Sequence, residues 1–260
     1  MRIVRRQLLP ALLITIVLYV ITGLLYPLVV WGVGQVGFNH RANGSFITRN
    51  GQVVGSSLIG QNFVDKDGNA LTQYFQPRPS SAGTSGYDPT SSAASNLPPG
   101  DPRLVGFVPG LNAVDLNGNS SSTNPFATSD DPTCVPTDPK GNPVTSPSAG
   151  QEYAKNKDGS YVCDANTVPQ RANAYRQLNS LAAGASVPVD AVTGSFSGLD
   201  PDISVANANL QGDRVAKARS LTTDRVLALI KAHTNKRQLG VLGEQTVNVL
   251  DINLALDQLH

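Results

Sequence analysis

Charge of either sign is scarce in this chain. Lys and Arg together number 20 and Asp and Glu 19, which leaves a formal net charge of +1 over 260 residues. Such a balance excludes the broad basic face that nucleic-acid binding requires, so no nucleic-acid partner is expected. Aromatic residues make up only 6%, whereas Gly (24) and Pro (18) are plentiful, a mixture that predicts long irregular stretches. Histidine occurs at 40, 233 and 260, and cysteine at 134 and 163. None of these falls in a His-x-x-x-His or Cys-x-x-Cys pair, so no metal site is expected. A Gly-x-x-x-x-Gly-Lys-Ser/Thr loop is absent too, which leaves the chain without a recognisable nucleotide-hydrolysing engine of its own. No internal repeat stands out.

Uncharged sequence, by contrast, is abundant at the start. From Gln7 to His40 there is no Asp, Glu, Lys or Arg, and Leu8 to Val36 is almost wholly apolar. A bilayer core about 30 Å thick needs about 20 apolar residues in a helix, and this run exceeds that. It is also longer than the apolar stretch of a cleaved signal peptide, and Tyr26, Pro27, Leu28 and Trp31 do not resemble a cleavage site. The run is read as one transmembrane helix over 8–37, with Pro27 relaxing it by deleting a backbone donor. Arg2, Arg5 and Arg6 precede it. Positive charge favours the cytoplasmic side, so residues 1–7 are expected in the cytoplasm and residues 38–260 outside it.

After the helix, Asn43 to Gln61 reads as short strands with turns, and Asn50-Gly51 is a hairpin signal because both residues tolerate positive φ. In Tyr74-Phe75-Gln76-Pro77-Arg78-Pro79-Ser80 the two prolines fix an extended chain, which either presents Arg78 in a defined direction or forms a surface loop with a structural ion pair. Residues 106–170 are rich in Pro, Asn, Ser, Asp and Gly and are read as a loop-rich insertion, with Cys134 and Cys163 pairing to staple it. Regular structure resumes with a helix over Arg171–Leu181 and a short strand at Val187–Val192. A helix capped by Asp202 or Ser204 then runs towards Ser220. Another is capped by Thr222, with Val226, Leu227, Leu229 and Ile230 as its buried face, and stops near His233. Val247 and Val249 alternate like a strand, and Asp251 is placed as the cap of a final short helix. The fold class is therefore α+β: one N-terminal transmembrane helix, then one extracytoplasmic α+β domain carrying the insertion.

The richest motif is Gly194-Ser195-Phe196-Ser197-Gly198-Leu199-Asp200-Pro201. A nucleophile elbow needs Gly-x-Ser-x-Gly, and here the central residue is Phe196, so the pattern misses by one position. A serine hydrolase would have to join Ser195 or Ser197 to His233 and to Asp200 or Asp251. Alternatively, small residues before a capped helix gather N–H groups into an anion-holding nest, for which Ser195, Ser197, Gly198 and Asp200 are the candidates. A third reading is a strand-to-helix connection whose glycines permit tight packing.

One ordered set of short motifs bears on the choice. It runs Thr22-Gly23-Leu24-Leu25-Tyr26-Pro27, Ala42-Asn43-Gly44-Ser45, Leu58-Ile59-Gly60-Gln61, Arg78-Pro79-Ser80 and Ser95-Asn96-Leu97. It continues with Val187-Pro188-Val189-Asp190, Ser197-Gly198-Leu199-Asp200-Pro201, Leu242-Gly243-Glu244, Val247-Asn248-Val249-Leu250 and Asn253-Leu254-Ala255-Leu256-Asp257. In this order the motifs resemble the KdpC family, the C subunit of the bacterial Kdp potassium-transporting P-type ATPase. The resemblance covers most of the chain outside 106–170. Phe196 stands where the family usually has glycine, Asp202 where it has histidine, and Gln76-Pro77 follows Tyr74-Phe75. The resemblance implies a non-catalytic accessory subunit of the inner membrane, with no catalytic residue. Its implied partners are a potassium-translocating A subunit, an ATP-hydrolysing B subunit, a small F subunit and membrane lipid. It also implies a catalytic chaperone that raises the B subunit's affinity for ATP, a nucleotide the complex uses and this subunit contacts. The expected orientation conflicts with direct contact to cytoplasmic ATP and favours coupling through the membrane helix. Two other function classes compete: a membrane-anchored extracytoplasmic serine hydrolase, and an envelope binding module built on the insertion.

Overall fold

The uncharged run near the N-terminus forms a helical rod in the computed structural model, which describes residues 2–94, 135–144, 151–159, 161–164 and 167–259. Helix α1 (Arg2–Val20) passes through a wider π-helical turn at Ile21–Leu25 into α2 (Tyr26–Gly37). The wide turn has a local cause. Pro27 offers no N–H to the carbonyl of Gly23 and its ring crowds that carbonyl, and the Tyr26 N–H reaches five residues back, to Ile21 O. Arg6–Gly37 is long and apolar enough to cross a membrane, with none of it buried against protein. Its 32 residues extend about 48 Å, more than a hydrocarbon core requires. The chain then makes a short turn of helix, α3 (Asn39–Ala42), and an antiparallel hairpin of β1 (Phe46–Arg49) and β2 (Gln52–Ser56). Asn50 (φ 51°) and Gly51 (φ 77°) form its tip, the tight turn the sequence predicts. These elements belong to one unit, Met1–Leu58; the rest of the chain, Ile59–His260, forms a second.

In the second unit α4 (Val168–Leu178) starts before the expected Arg171, because Thr167 accepts from the Gln170 N–H as its cap and Pro169 fits the first turn. No strand forms at Val187–Val192. Pro188 withholds a donor, and Val189–Ala191 closes a 3₁₀ turn that turns Asp190 towards Ser204. β3 (Asp202–Ser204) leads directly into α5 (Val205–Ala218); Ser204 is the cap, and Asp202 lies in the strand. Thr222 caps α6 (Thr223–Ala232), which stops at His233 as expected. Of its four expected core residues, Val226 and Ile230 are buried, Leu229 is half-buried and Leu227 is exposed. β4 (Thr234–Asn235), β5 (Thr246–Asn248) and α7 (Val249–Leu256) complete the chain. Asn248 caps α7, not Asp251, whose N–H is the one that Asn248 receives. Val249 is accordingly the first residue of the helix and not part of the strand.

The sheet order is β3-β5-β4, all antiparallel, with Ile203 and Thr234 flanking Val247. Ile203 and Val247 join Val215, Val226, Ile230, Ile252 and Leu256 in one apolar core. Phe75 is fully buried at this core although it belongs to no helix or strand. A smaller cluster gathers Val135 and Val144 with Tyr153, Tyr161 and Cys163. Cys163 is disulfide-bonded; Cys134, the expected partner, lies outside the described residues, as does all of 106–134.

One turn recurs that the sequence reading did not single out as a repeat: Asp65-Lys66-Asp67-Gly68-Asn69 and Asp138-Pro139-Lys140-Gly141-Asn142. In each, the first carboxylate accepts backbone N–H groups two and four residues ahead, at 2.8–2.9 Å, and the glycine has φ 84°. The Asn69 and Asn142 side chains hold these two carboxyls below their usual range.

Phe75 reaches the core without a strand partner because Asn253 supplies one: the Phe75 N–H donates to Asn253 Oδ1 at 2.8 Å and Asn253 Nδ2 donates to Phe75 O at 3.0 Å. Asn253→Ala leaves both buried backbone groups unpaired, a loss of roughly 2–4 kcal/mol. Thermal melting of the detergent-solubilised full chain should show a drop of roughly 5–15 °C; an unchanged melting temperature would mean water replaces the amide.

Candidate functional site

The site is built where the extended segment 72–80 passes between the C-terminal helices and the serine-rich turn. Arg214 Nη1 donates to Thr72 O (2.5 Å) and Tyr74 O (3.0 Å). Arg219 Nε donates to Gln73 O (2.7 Å), Asn253 to Phe75 O, and Gln211 Nε2 to Gln76 O (3.1 Å). Gln211 Oε1 in turn receives the Gln76 N–H at 2.7 Å. Two primary amides thus replace the neighbouring strand that Phe75 and Gln76 lack, since a carboxamide presents the same donor and acceptor as a peptide.

Asn207, Gln211 and Arg214 lie on one face of α5, spaced four and three residues apart, and all three are buried. Tyr175 of α4 donates to Asn207 Oδ1 at 2.8 Å, and Asn179 accepts from Arg214 Nε at 2.9 Å. Among the described residues no carboxylate pairs with the Arg214 guanidinium; carbonyl and amide oxygens surround it. Burial pulls its pKa down to about 10, while burial pushes the Tyr175 phenol up. Asp190 holds the start of α5: its carboxylate accepts from Ser204 N (2.7 Å), Ser204 Oγ (2.8 Å) and Asn207 Nδ2 (3.0 Å). A carboxylate at a helix N-terminus also meets the positive end of the helix dipole.

Arg78 does form an ion pair, with Asp200 at 3.0 Å, and the same guanidinium donates to Gly194 O (3.2 Å) and Thr193 O (3.4 Å). It therefore closes the mouth of the turn. Ser80 Oγ donates to Gly198 O (2.6 Å), Ser92 Oγ to Ser197 O (2.9 Å), and the Gly60 N–H to Leu199 O (2.8 Å). Tyr87 Oη donates to Arg78 O at 2.9 Å beneath this arrangement. Gly60 is required: a Cβ there would lie 2.7 Å from Asp200 O and 2.3 Å from a carbon of the Tyr87 ring.

Of the four sequence-predicted candidates, Ser195, Ser197, Gly198 and Asp200 all lie in this turn. Ser197 Oγ accepts from the Leu199 N–H (3.0 Å) and Ser195 Oγ from the Asp200 N–H (3.4 Å), with 3.5 Å between the two hydroxyls. The Gly198 N–H donates to Ser195 O. Among the described residues no histidine bonds to either hydroxyl; His233 instead acts electrostatically on Asp251, whose carboxyl burial raises and His233 lowers. Phe196, at the apex, is 92% exposed.

An open cleft of about 450 Å³ adjoins the segment, lined among others by Asn62, Gln76, Arg78, Ser80, Arg171 and Tyr175. Among the described residues its polar lining is two guanidiniums, amides and hydroxyls, and the Arg78 guanidinium is already paired with Asp200. Sequence reasoning found Arg78 from its prolines but missed Asn207, Gln211, Arg214 and Asn253. Their only signal is polar residues on the apolar-facing side of a helix.

Tyr87 has its phenol pushed up by burial and by the Asp200 carboxylate, against a smaller opposing effect of Arg78. A raised folded-state value means the neutral phenol's stabilisation is complete below its unfolded pKa of about 10 and is lost as pH rises through the higher folded value. Stability should therefore fall on the alkaline side. Tyr87→Phe should cost about 1 kcal/mol at neutral pH and shallow that alkaline fall, as read by melting curves against pH.

Comparison with known proteins gives one consistent result. The family model described as KdpC, K+-transporting ATPase, c chain, matches residues 8–138 and 139–258. A protein of Mycobacterium tuberculosis named potassium-transporting ATPase KdpC subunit is 42% identical over 255 residues, covering 98% of this chain and all of the relative. Proteins with the same name from Rhodospirillum rubrum and Gemmatimonas aurantiaca are 40% and 38% identical, over 97% and 96% of this chain and 96% and 92% of their own lengths. The aligned 255 residues span the 106–170 stretch, so these relatives resemble the chain along nearly its whole length.

Proposed function

Because the chain belongs to the KdpC family, and is thereby an accessory subunit of a potassium import complex, we propose that it works without catalytic chemistry of its own. It supports assembly of the pump and raises the ATP affinity of the subunit that hydrolyses ATP. The partners are the potassium-translocating A subunit, the ATP-hydrolysing B subunit and the small F subunit. The observation that carries the reading is the full-length family match, joined to a helix long and apolar enough to span a membrane. Three arginines before that helix support a cytoplasmic N-terminus and an extracytoplasmic C-terminal unit in the bacterial inner membrane.

In this orientation the subunit acts on ATP from across the bilayer. It does so by binding one state of the pump better than another. Linkage is reciprocal: if the subunit raises ATP affinity about tenfold, ATP tightens the subunit's own attachment about tenfold, equivalent to about 1.4 kcal/mol. Ser195, Ser197, Gly198 and Asp200 serve this role as a positioned turn: their hydroxyls and amides bind one another, and the turn's geometry presents Phe196 outward to a partner subunit.

Tagged full-length chain, solubilised gently from potassium-starved cells of its own source, should copurify with a P-type ATPase and a channel-like subunit in fixed ratio. The chain recovered alone, from cells whose pump is intact, overturns the reading. In the same preparation, Phe196→Asp should leave the chain folded and weaken retention of the other subunits by about tenfold. Unchanged retention removes Phe196 from the interface.

A further inference from the structure

The loop between β4 and β5 ends in an exposed apolar tip that nothing above accounts for. Leu239 is 89% exposed and Val241 74%, with Leu242 exposed beside them. The loop is locked into shape: the Gln238 N–H donates to Leu242 O (2.9 Å), the Leu242 N–H returns to Gln238 O (2.9 Å), and Arg237 pairs with Glu244 across its base at 2.6 Å. Leu239 is held at φ 52°, the left-handed region, which costs any residue with a Cβ about 1–2 kcal/mol relative to ordinary backbone. A large apolar side chain is therefore kept both strained and in water, a combination that marks functional loops.

At the base of the loop, where Lys236 and Gln245 flank it, lies a cleft of about 490 Å³. Val205, Leu227 and Ile230 form its apolar floor, and Lys231 and Lys236 stand on its rim. No carboxylate lines it, and the only acid on the loop, Glu244, is taken by Arg237. The loop is thus apolar at its tip and has two lysines in the cleft at its base. An anionic bilayer is the complement of that pattern: acyl chains accept the leucines and valine, and headgroup phosphates accept the two lysines.

We propose that the 237–244 loop and the Lys231/Lys236 cleft form a second membrane contact, in which Leu239, Val241 and Leu242 enter the headgroup region of an anionic leaflet. The contact rests on the reading that Arg6–Gly37 crosses a bilayer, which keeps the loop at high effective concentration beside lipid. Each lysine adds roughly fivefold to the affinity for an anionic surface.

The test uses the full chain in vesicles of phosphatidylcholine and phosphatidylglycerol, with brominated lipid as quencher. Native Trp31, the single tryptophan, reports the helix. L239W, and separately V241W, in a Trp31→Phe background reports the loop. Expected is blue-shifted emission and about twofold or greater quenching at both loop positions, reduced by K231E/K236E. Quenching of Trp31 with red, lipid-insensitive emission from the loop overturns the loop contact while leaving the helix intact. No quenching at any position overturns both. A loop signal that turns blue only when the other pump subunits are present, still without lipid quenching, overturns the lipid contact and makes the tip a protein interface.

Discussion

Five consecutive carbonyls, from Thr72 to Gln76, are each received by a side chain from the C-terminal part of the chain. The rest of the second unit depends on this. The segment must dip inward to deliver Phe75 to the core, yet it has no neighbouring strand. Buried peptide groups without partners cost roughly 1–3 kcal/mol apiece, so the route is possible only because α5 and α7 provide substitute partners. Gln211 and Asn253 do this with neutral amides, which bring no charge into the interior.

Arg214 and Arg219 take a different approach. Arg219 is offset by Asp257 at 2.7 Å and lies over the Tyr74 ring. Among the described residues Arg214 has only oxygen dipoles. A buried cation held by dipoles alone is costly if any of them moves, and that gives the segment one position rather than several. Rigidity there passes directly to Arg78 and Ser80, which grip the serine turn two to four residues further on. The turn owes its shape to this grip, and its exposed Phe196 is held out by bonds among carbonyls, hydroxyls and one ion pair.

For an accessory subunit of a potassium import complex, such rigidity is useful. Coupling between a membrane-anchored subunit and a pump is limited by how differently the subunit fits the pump's states, and a deformable surface would fit all of them alike. The strained Leu239 tip and the clamped Phe196 turn are both stiff, apolar and exposed, the features of surfaces that discriminate between partners or phases.

Much of this was legible in the sequence because the relevant forces are local. The long apolar N-terminal helix follows from an uncharged run and the 50–51 hairpin from two residues that accept positive φ; the α6 start follows from Thr222 and the α5 start from one of two offered caps, Ser204 rather than Asp202, each cap reaching an N–H three residues away. The cap of α7 was misplaced by three residues because Asn248 and Asp251 are both capable caps and only the strand before them selects one. Likewise Val187–Val192 has strand composition, but Pro188 withholds a donor and Val189–Ala191 closes a 3₁₀ turn instead. The chain's family, too, was readable in the order of its motifs. What only the tertiary structure decided is who partners whom across distance. Gln211 and Asn253 read as unremarkable polar residues in helices until Phe75 and Gln76, well over a hundred residues earlier, arrive beside them. Likewise Ser195 and Ser197 meet the Asp200 and Leu199 N–H groups only once the turn is folded. Local preferences are written in adjacent residues, whereas the satisfaction of a buried donor depends on whatever the fold brings within 3 Å of it.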